Sequence, residues 1–174
     1  VKSTHSFVYP KTKILQKHPK LSLFYKDNKE THFILGFHGY PLFNENQYTL
    51  ILLEKILSGG FTSRLFQLVR EKLGGAYYIY SDNWLFVDRG IFMIRGGIDS
   101  QRAELILSEI IKEIKTLKNK PITNQELQKV KNYIIGKYSY YNEIDDDVSE
   151  IMIKLFLNLN SFDENKSKFS VWVY

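Results

Sequence analysis

Cysteine is absent from all 174 residues. That excludes disulfides, thiolate zinc sites and a cysteine nucleophile, and it leaves the redox compartment open. No apolar run approaches the length of a bilayer-spanning helix, so the chain reads as soluble, with no compartment indicated. The opening residues, VKSTHSFVYP, lack both a signal-peptide apolar core and an initiator Met, and read as an excised or processed segment. Lysines and arginines are dispersed, and a net charge of +5 without a basic block is no nucleic-acid patch. It fits a solvated surface, or weak steering of acidic partners. Internal repeats and low-complexity tracts are missing too.

What remains has the composition of an ordinary globular protein, with 44% hydrophobic and 25% charged residues. The 12 Tyr and 12 Phe supply large areas for burial. The length suits one domain with a substantial core. Residues 1–20, with Pro10, Pro19 and no period, read as a linker or lead-in, and residues 21–174 as the domain, open to truncation at its C-terminus.

Short apolar runs predict strands at 21–25 and 32–36. Asn44 is placed to cap a helix over 46–57, where Tyr48, Ile51, Leu52 and Ile56 fall at helical spacing; Ser58, Gly59 and Gly60 end it. A shorter helix over 63–72 ends at Gly74 and Gly75. Residues 76–86 and 91–98 read as an antiparallel hairpin about Asp88-Arg89-Gly90. Ser100 then caps a long helix with Ala103, Ile106, Leu107, Ile110, Ile111, Ile114 and Leu117 on one face, broken by Pro121. Thr123 and Glu126 form a capping-box pattern opening a helix whose apolar face is Leu127, Val130, Ile134 and Tyr138. A further helix is predicted over 148–159, a loop over 161–168, and the final FSVWVY is a strand or a truncated element. Asp145, Asp146 and Asp147 read as negative charge at a helix N-terminus rather than a cation site. The fold class is α+β: a mainly antiparallel sheet with the long helices packed on one face.

The segment GGFTSRLFQLVREKLGGAYYIYS, residues 59–81, resembles a signature of the insulinase, pitrilysin and mitochondrial-processing-peptidase family of zinc metallopeptidases. The shared pattern is a Gly-rich turn, a Ser-Arg-Leu-Phe helix start, an Arg-Glu-Lys helix end and a Gly-x-Ala-Tyr strand start. Residues 32–159 fit one family half-domain in the right order. The resemblance implies two related halves closing around a chamber, with an inverted zinc motif, His-x-x-Glu-His, in the catalytic half. None of His5, His18, His32 and His38 opens such a motif, so the chain is similar to the non-catalytic, C-terminal-type half. No cofactor is expected in this chain, and zinc is expected in a partner half, in the same chain or a separate subunit.

By the same resemblance, Arg70 and Tyr77 bind peptide substrate near the scissile bond, and Gly59 and Gly60 belong to a loop facing the chamber. A guanidinium fork and a phenolic donor suit a carbonyl that gains negative charge. Read without the family, Arg70 is a solvated cation complementing its helix C-terminus, Tyr77 a packed strand residue, the glycines helix terminators and His32 a structural strand residue. Gly75 stands where the family pattern has Leu, which predicts a lost apolar contact and a looser turn before Tyr77. Two further roles stay open: a scaffold subunit of a larger complex without protease activity, and a free-standing peptide binder using a strand edge.

Overall fold

The computed structural model describes residues 12–120 and 122–139. In chain order it contains β1 (Glu30–Gly39), α1 (Gln47–Ser58), a π-helix (Phe66–Lys72), β2 (Ala76–Leu85), β3 (Gly90–Asp99), a 3-10 turn (Ser100–Arg102), α2 (Ala103–Asn119) and α3 (Asn124–Ser139). Pro121, the acidic run at Asp145, Asp146 and Asp147, the expected helix over 148–159, the loop over 161–168 and the FSVWVY end lie outside the described residues.

The described strands form one antiparallel sheet in the order β1-β3-β2. Side chains alternate across it. Phe92, Ile94 and Ile98 of the central strand and Ile79 of β2 enter the core, with Phe33, Leu35 and Phe37 of β1 packed beside them. Against this face α1 buries Leu52, Leu53, Ile56 and Leu57 and α2 buries Ile106, Ile110, Ile114 and Leu117, while α3, packed on α1, adds Leu127, Val130 and Ile134 to the same core. The other face is open at Ile34, Tyr80 and Trp84. This is the expected α+β arrangement, with the long helices on one side of an antiparallel sheet.

The sequence expectation fails at residues 21–25. They join no ladder, and Leu21, Leu23, Phe24 and Tyr25 stand exposed. The segment is fastened at its two ends instead: the Thr12 N–H donates to Asp88 Oδ2 (2.9 Å), and the Ser100 N–H donates to Lys29 O (3.2 Å). An apolar run becomes a strand only where another edge takes its backbone groups, and none of the described strands does so. Residues 63–72 also depart from expectation, since most of that helix has π rather than α geometry. Asn44 does not cap α1: its Oδ1 accepts from the Asn46 N–H (2.9 Å) ahead of the helix, Asn46 is the N-cap with no side-chain cap bond, and α1 starts at Gln47. Before α2 the cap is Asp99, whose Oδ1 accepts from the Gln101 N–H (2.9 Å), and Ser100 opens the 3-10 turn.

The capping box at α3 is half formed. The Glu126 N–H donates to Thr123 Oγ1 (3.2 Å), but the Glu126 carboxylate turns outward to Arg64. Arg64 Nε and Nη2 donate to Glu126 Oε1 and Oε2 (2.6 and 2.7 Å), and Nη1 donates to Glu113 Oε1 of α2 (2.9 Å). One guanidinium therefore joins the start of the irregular helix to both long helices. The paired fork is the main reason that the Arg64 proton is held more tightly than usual and the Glu126 carboxyl lies below the usual carboxylate range.

Two outcomes follow for stability. Ile94, with none of its surface exposed on the central strand, should cost about 2–5 kcal/mol as Ile94→Ala. Ile34→Ala, on the open face of β1, should stay within about 0.5 kcal/mol, and urea unfolding of both variants checks the contrast. Because Glu126 titrates lower folded than unfolded, its contribution is present above the unfolded carboxylate pKa of about 4.3 and is lost as pH falls through the folded value. Thermal melts from pH 6 downward should show wild type losing more stability toward about pH 3 than Glu126→Gln, with equal slopes contradicting the assignment.

Candidate functional site

The site is built around the passage from helix to sheet. After α1 the Gly59 N–H donates to Lys55 O (2.8 Å), and Gly60 has φ of 130°, a conformation favouring glycine. A side chain there would also meet Tyr133 of α3. The loop is held from below: the buried Ser63 hydroxyl donates to Gly60 O (2.6 Å), and Gln67 Nε2 donates to Phe61 O (2.6 Å). Gly59 and Gly60 thus terminate a helix, and they sit in a loop fixed to the base of the next element.

That element is the π-helix, with one extra residue in each turn. Leu65 and Val69 are fully buried and anchor one side. The Leu73 N–H donates to Leu68 O (3.0 Å), five residues back, and the Gly75 N–H to Val69 O (3.2 Å). Arg70 projects from the exposed side in the last turn. Its guanidinium carbon lies 5.2 Å from the Phe66 ring centroid, and Phe66 is in turn met edge-on by Phe61 at 5.2 Å. A contact of that kind at an exposed site contributes about 0.5–1 kcal/mol. It steadies the side chain and leaves its N–H fork unused: among the described residues no carboxylate or carbonyl binds Arg70. Arg64, six residues earlier, has its fork filled.

Gly74, with φ of 58°, turns the chain after the helix. Gly75 then departs from the expectation of a loose turn. It is buried, and an added Cβ would lie 2.5 Å from Ile106 Cδ1 of α2. Its carbonyl accepts from the Asp99 N–H (2.9 Å), so the residue is bonded to the π-helix on one side and to the end of β3 on the other. The space a larger side chain would need is filled by Ile106, and the turn is tight.

Tyr77 follows at once. In the β2–β3 register Ala76 faces Ile98 and Tyr78 faces Gly97, so Tyr77 is the extra residue of a β-bulge. Its side chain is 58% exposed, which rules out the packed-strand reading. Among the described residues its hydroxyl has no partner, whereas the neighbouring Tyr78 hydroxyl pairs with His32 Nδ1 at 2.9 Å. His32 is accordingly an exposed strand residue with a partner. His32 and His38 are six residues apart on one strand, roughly 20 Å at strand spacing, and cannot share a metal ion. No group of three His, Cys, Asp or Glu among the described residues could hold one.

Sequence reasoning passed over Arg64, Glu113 and Glu126. The Ser-Arg-Leu-Phe motif contained the arginine, but the capping-box spacing gave Glu126 a complete local role and concealed the long-range one. No helix among the described residues is long and apolar enough to cross a membrane.

A family model described as Peptidase M16 inactive domain matches residues 4–134. The chain is 37% identical over 111 residues to a Bacillus subtilis protein named uncharacterized zinc protease YmxG, covering 64% of this chain and 27% of that protein. It is 39% identical over 110 residues to an uncharacterized zinc protease of Rickettsia felis, covering 63% of this chain and 26% of the relative. The chain thus spans about a quarter of the length of these relatives. Among solved structures, a peptidase M16 inactive domain from Pseudomonas fluorescens superposes with a TM-score of 0.62 at 26% identity, over 83% of this chain and 36% of the other. The inactive peptidase domain of a Bordetella parapertussis zinc protease shares the fold, with a TM-score of 0.62 at 15% identity over 83% and 85% of the two chains. The sequence match over most of the chain and the shared architecture establish that this chain belongs to the peptidase M16 inactive-domain family.

Proposed function

We propose that the chain is the substrate-binding, non-catalytic domain of a zinc metallopeptidase. In this reading it clamps a peptide for hydrolysis by a partner half bearing His-x-x-Glu-His, in the same chain or as a separate subunit. The observation that carries it is the pairing of unused donors with irregular backbone. Arg70 stands on a π-helix and Tyr77 on a β-bulge, and both side chains are exposed with their hydrogen-bond donors unused among the described residues. π-turns and bulges occur often at functional sites because they re-aim single side chains.

The chemistry assigned to the pair is electrostatic. A guanidinium is always charged and offers paired N–H donors in a plane, and a phenol adds one O–H donor. Together they can bind a peptide carbonyl and favour the negative charge that its oxygen gains during hydrolysis. Such donors help most when they are already oriented and water is excluded, which here requires the second half to close over them. The Gly59–Gly60 loop would line the approach, since it is fixed to the same π-helix base. The partner half would supply the zinc.

Arg70→Ala and Tyr77→Phe should each leave the melting temperature of the isolated chain nearly unchanged, because exposed polar groups contribute little to folding. In the assembled peptidase each should lower kcat/KM for a short fluorogenic peptide by roughly ten- to a thousandfold, with the zinc content unaltered. Normal turnover together with a collapsed melt would make both residues structural and remove the clamp.

A further inference from the structure

A π-helix is uncommon because its wide turns pack less well than α turns, and it persists where both ends are constrained. The C-terminal end is constrained here by the bonds from Leu73 and Gly75 to Leu68 and Val69. At the N-terminal end stands Arg64, two residues before Phe66. Its side chain is 20% exposed and holds both oxygens of Glu126 and one oxygen of Glu113. Leu65, wholly buried, follows directly. The helix therefore starts from a point fixed to α2 and α3 and ends at a point fixed to β3.

Loss of either end would let the segment relax by one residue into α register. At 3.6 residues per turn, that rotates the later side chains by about 100° about the axis. Arg70 would present its fork in another direction relative to the sheet.

We infer that Arg64 is a positioning residue: by tying the start of the π-helix to Glu113 and Glu126 it sets the helical register that aims Arg70. The inference rests on the reading of Arg70 as a substrate ligand. It adds that the aim is imposed from the far side of the helix, through an ion pair that touches no substrate. The planar fork matters as well as the charge, because Nε and Nη2 meet Glu126 side by side while Nη1 reaches Glu113. A lysine keeps the cation, but its three N–H donors radiate from one nitrogen and cannot reproduce the planar, side-by-side fork.

A double-mutant cycle on the assembled peptidase tests this, using Arg64→Lys, Arg70→Ala and the pair, with a quenched fluorogenic peptide as probe. Arg64→Lys alone should lower kcat/KM about ten- to a hundredfold, the scale of a misaimed group. In the Arg70→Ala background it should change kcat/KM by less than about twofold, since the group it aims is gone. Equal losses in both backgrounds, or full activity of Arg64→Lys alone, would overturn the inference. An inert Arg70→Ala would instead sink the substrate-ligand reading, so the two failures are distinct. In the isolated chain, the Leu73 amide should exchange about tenfold faster in Arg64→Lys while the Ile94 amide is unchanged. Uniform acceleration of both amides would show general loss of stability and no control of register. Should Arg64→Lys fail to fold, Glu126→Gln, which weakens the fork without changing its shape, is read by the same criteria.

Discussion

Gly75 is the residue through which the rest of the candidate site is held together. Its N–H closes the π-helix on Val69, its carbonyl receives the Asp99 N–H at the end of β3, and the absence of a side chain lets Ile106 of α2 pack against the backbone. Helix, sheet and covering layer meet at one backbone unit. Arg70 and Tyr77 stand on either side of it in sequence. A buried N–H and C=O must both be satisfied, and here the need to satisfy them joins the two elements that carry the site.

Polar groups around the junction divide into those that are engaged and those that are not. Arg64 fills its fork with two carboxylates, and the Tyr78 hydroxyl meets His32. Among the described residues, Arg70 and Tyr77, of the same two residue types and close in sequence, leave their donors unused. Engaged pairs between helices or strands fix local geometry. Donors left free beside fixed ones are oriented without being used, which is the condition under which a protein binds a developing charge at little reorganisation. The aromatic contact of Arg70 with Phe66 is consistent with that division, since it restrains the cation and takes none of its N–H groups.

Much of the fold was legible because periodicity reports burial. The 3.6-residue pattern of Ile106, Ile110, Ile114 and Leu117 gave α2, and the Tyr-rich run followed by a Gly-bounded run gave the hairpin. What periodicity cannot report is whether a neighbour exists, and residues 21–25 show it: apolar enough for a strand, they pair with none of the described strands. Spacing rules are likewise blind to a one-residue change of register. The π-helix and the bulge at Tyr77 both insert a residue where helix and strand templates count none. The Arg70–Tyr77 pair could be named from the family signature alone, whereas the reason they stand apart from the regular structure could not. Glu126 misled for a related reason, because a local capping pattern was complete in sequence while its carboxylate had a stronger partner sixty-two residues away.

In the proposed function, two exposed donors on irregular backbone bind the peptide. The most direct measurement is a crystal structure of the whole peptidase, rendered inactive in its zinc-bearing half, with a peptide bound. The Arg70 guanidinium and the Tyr77 hydroxyl should lie within hydrogen-bond distance, about 2.7–3.2 Å, of peptide carbonyl oxygens beside the scissile bond, with the π-helix intact. A peptide seated elsewhere, with Arg70 and Tyr77 still facing solvent, would contradict it.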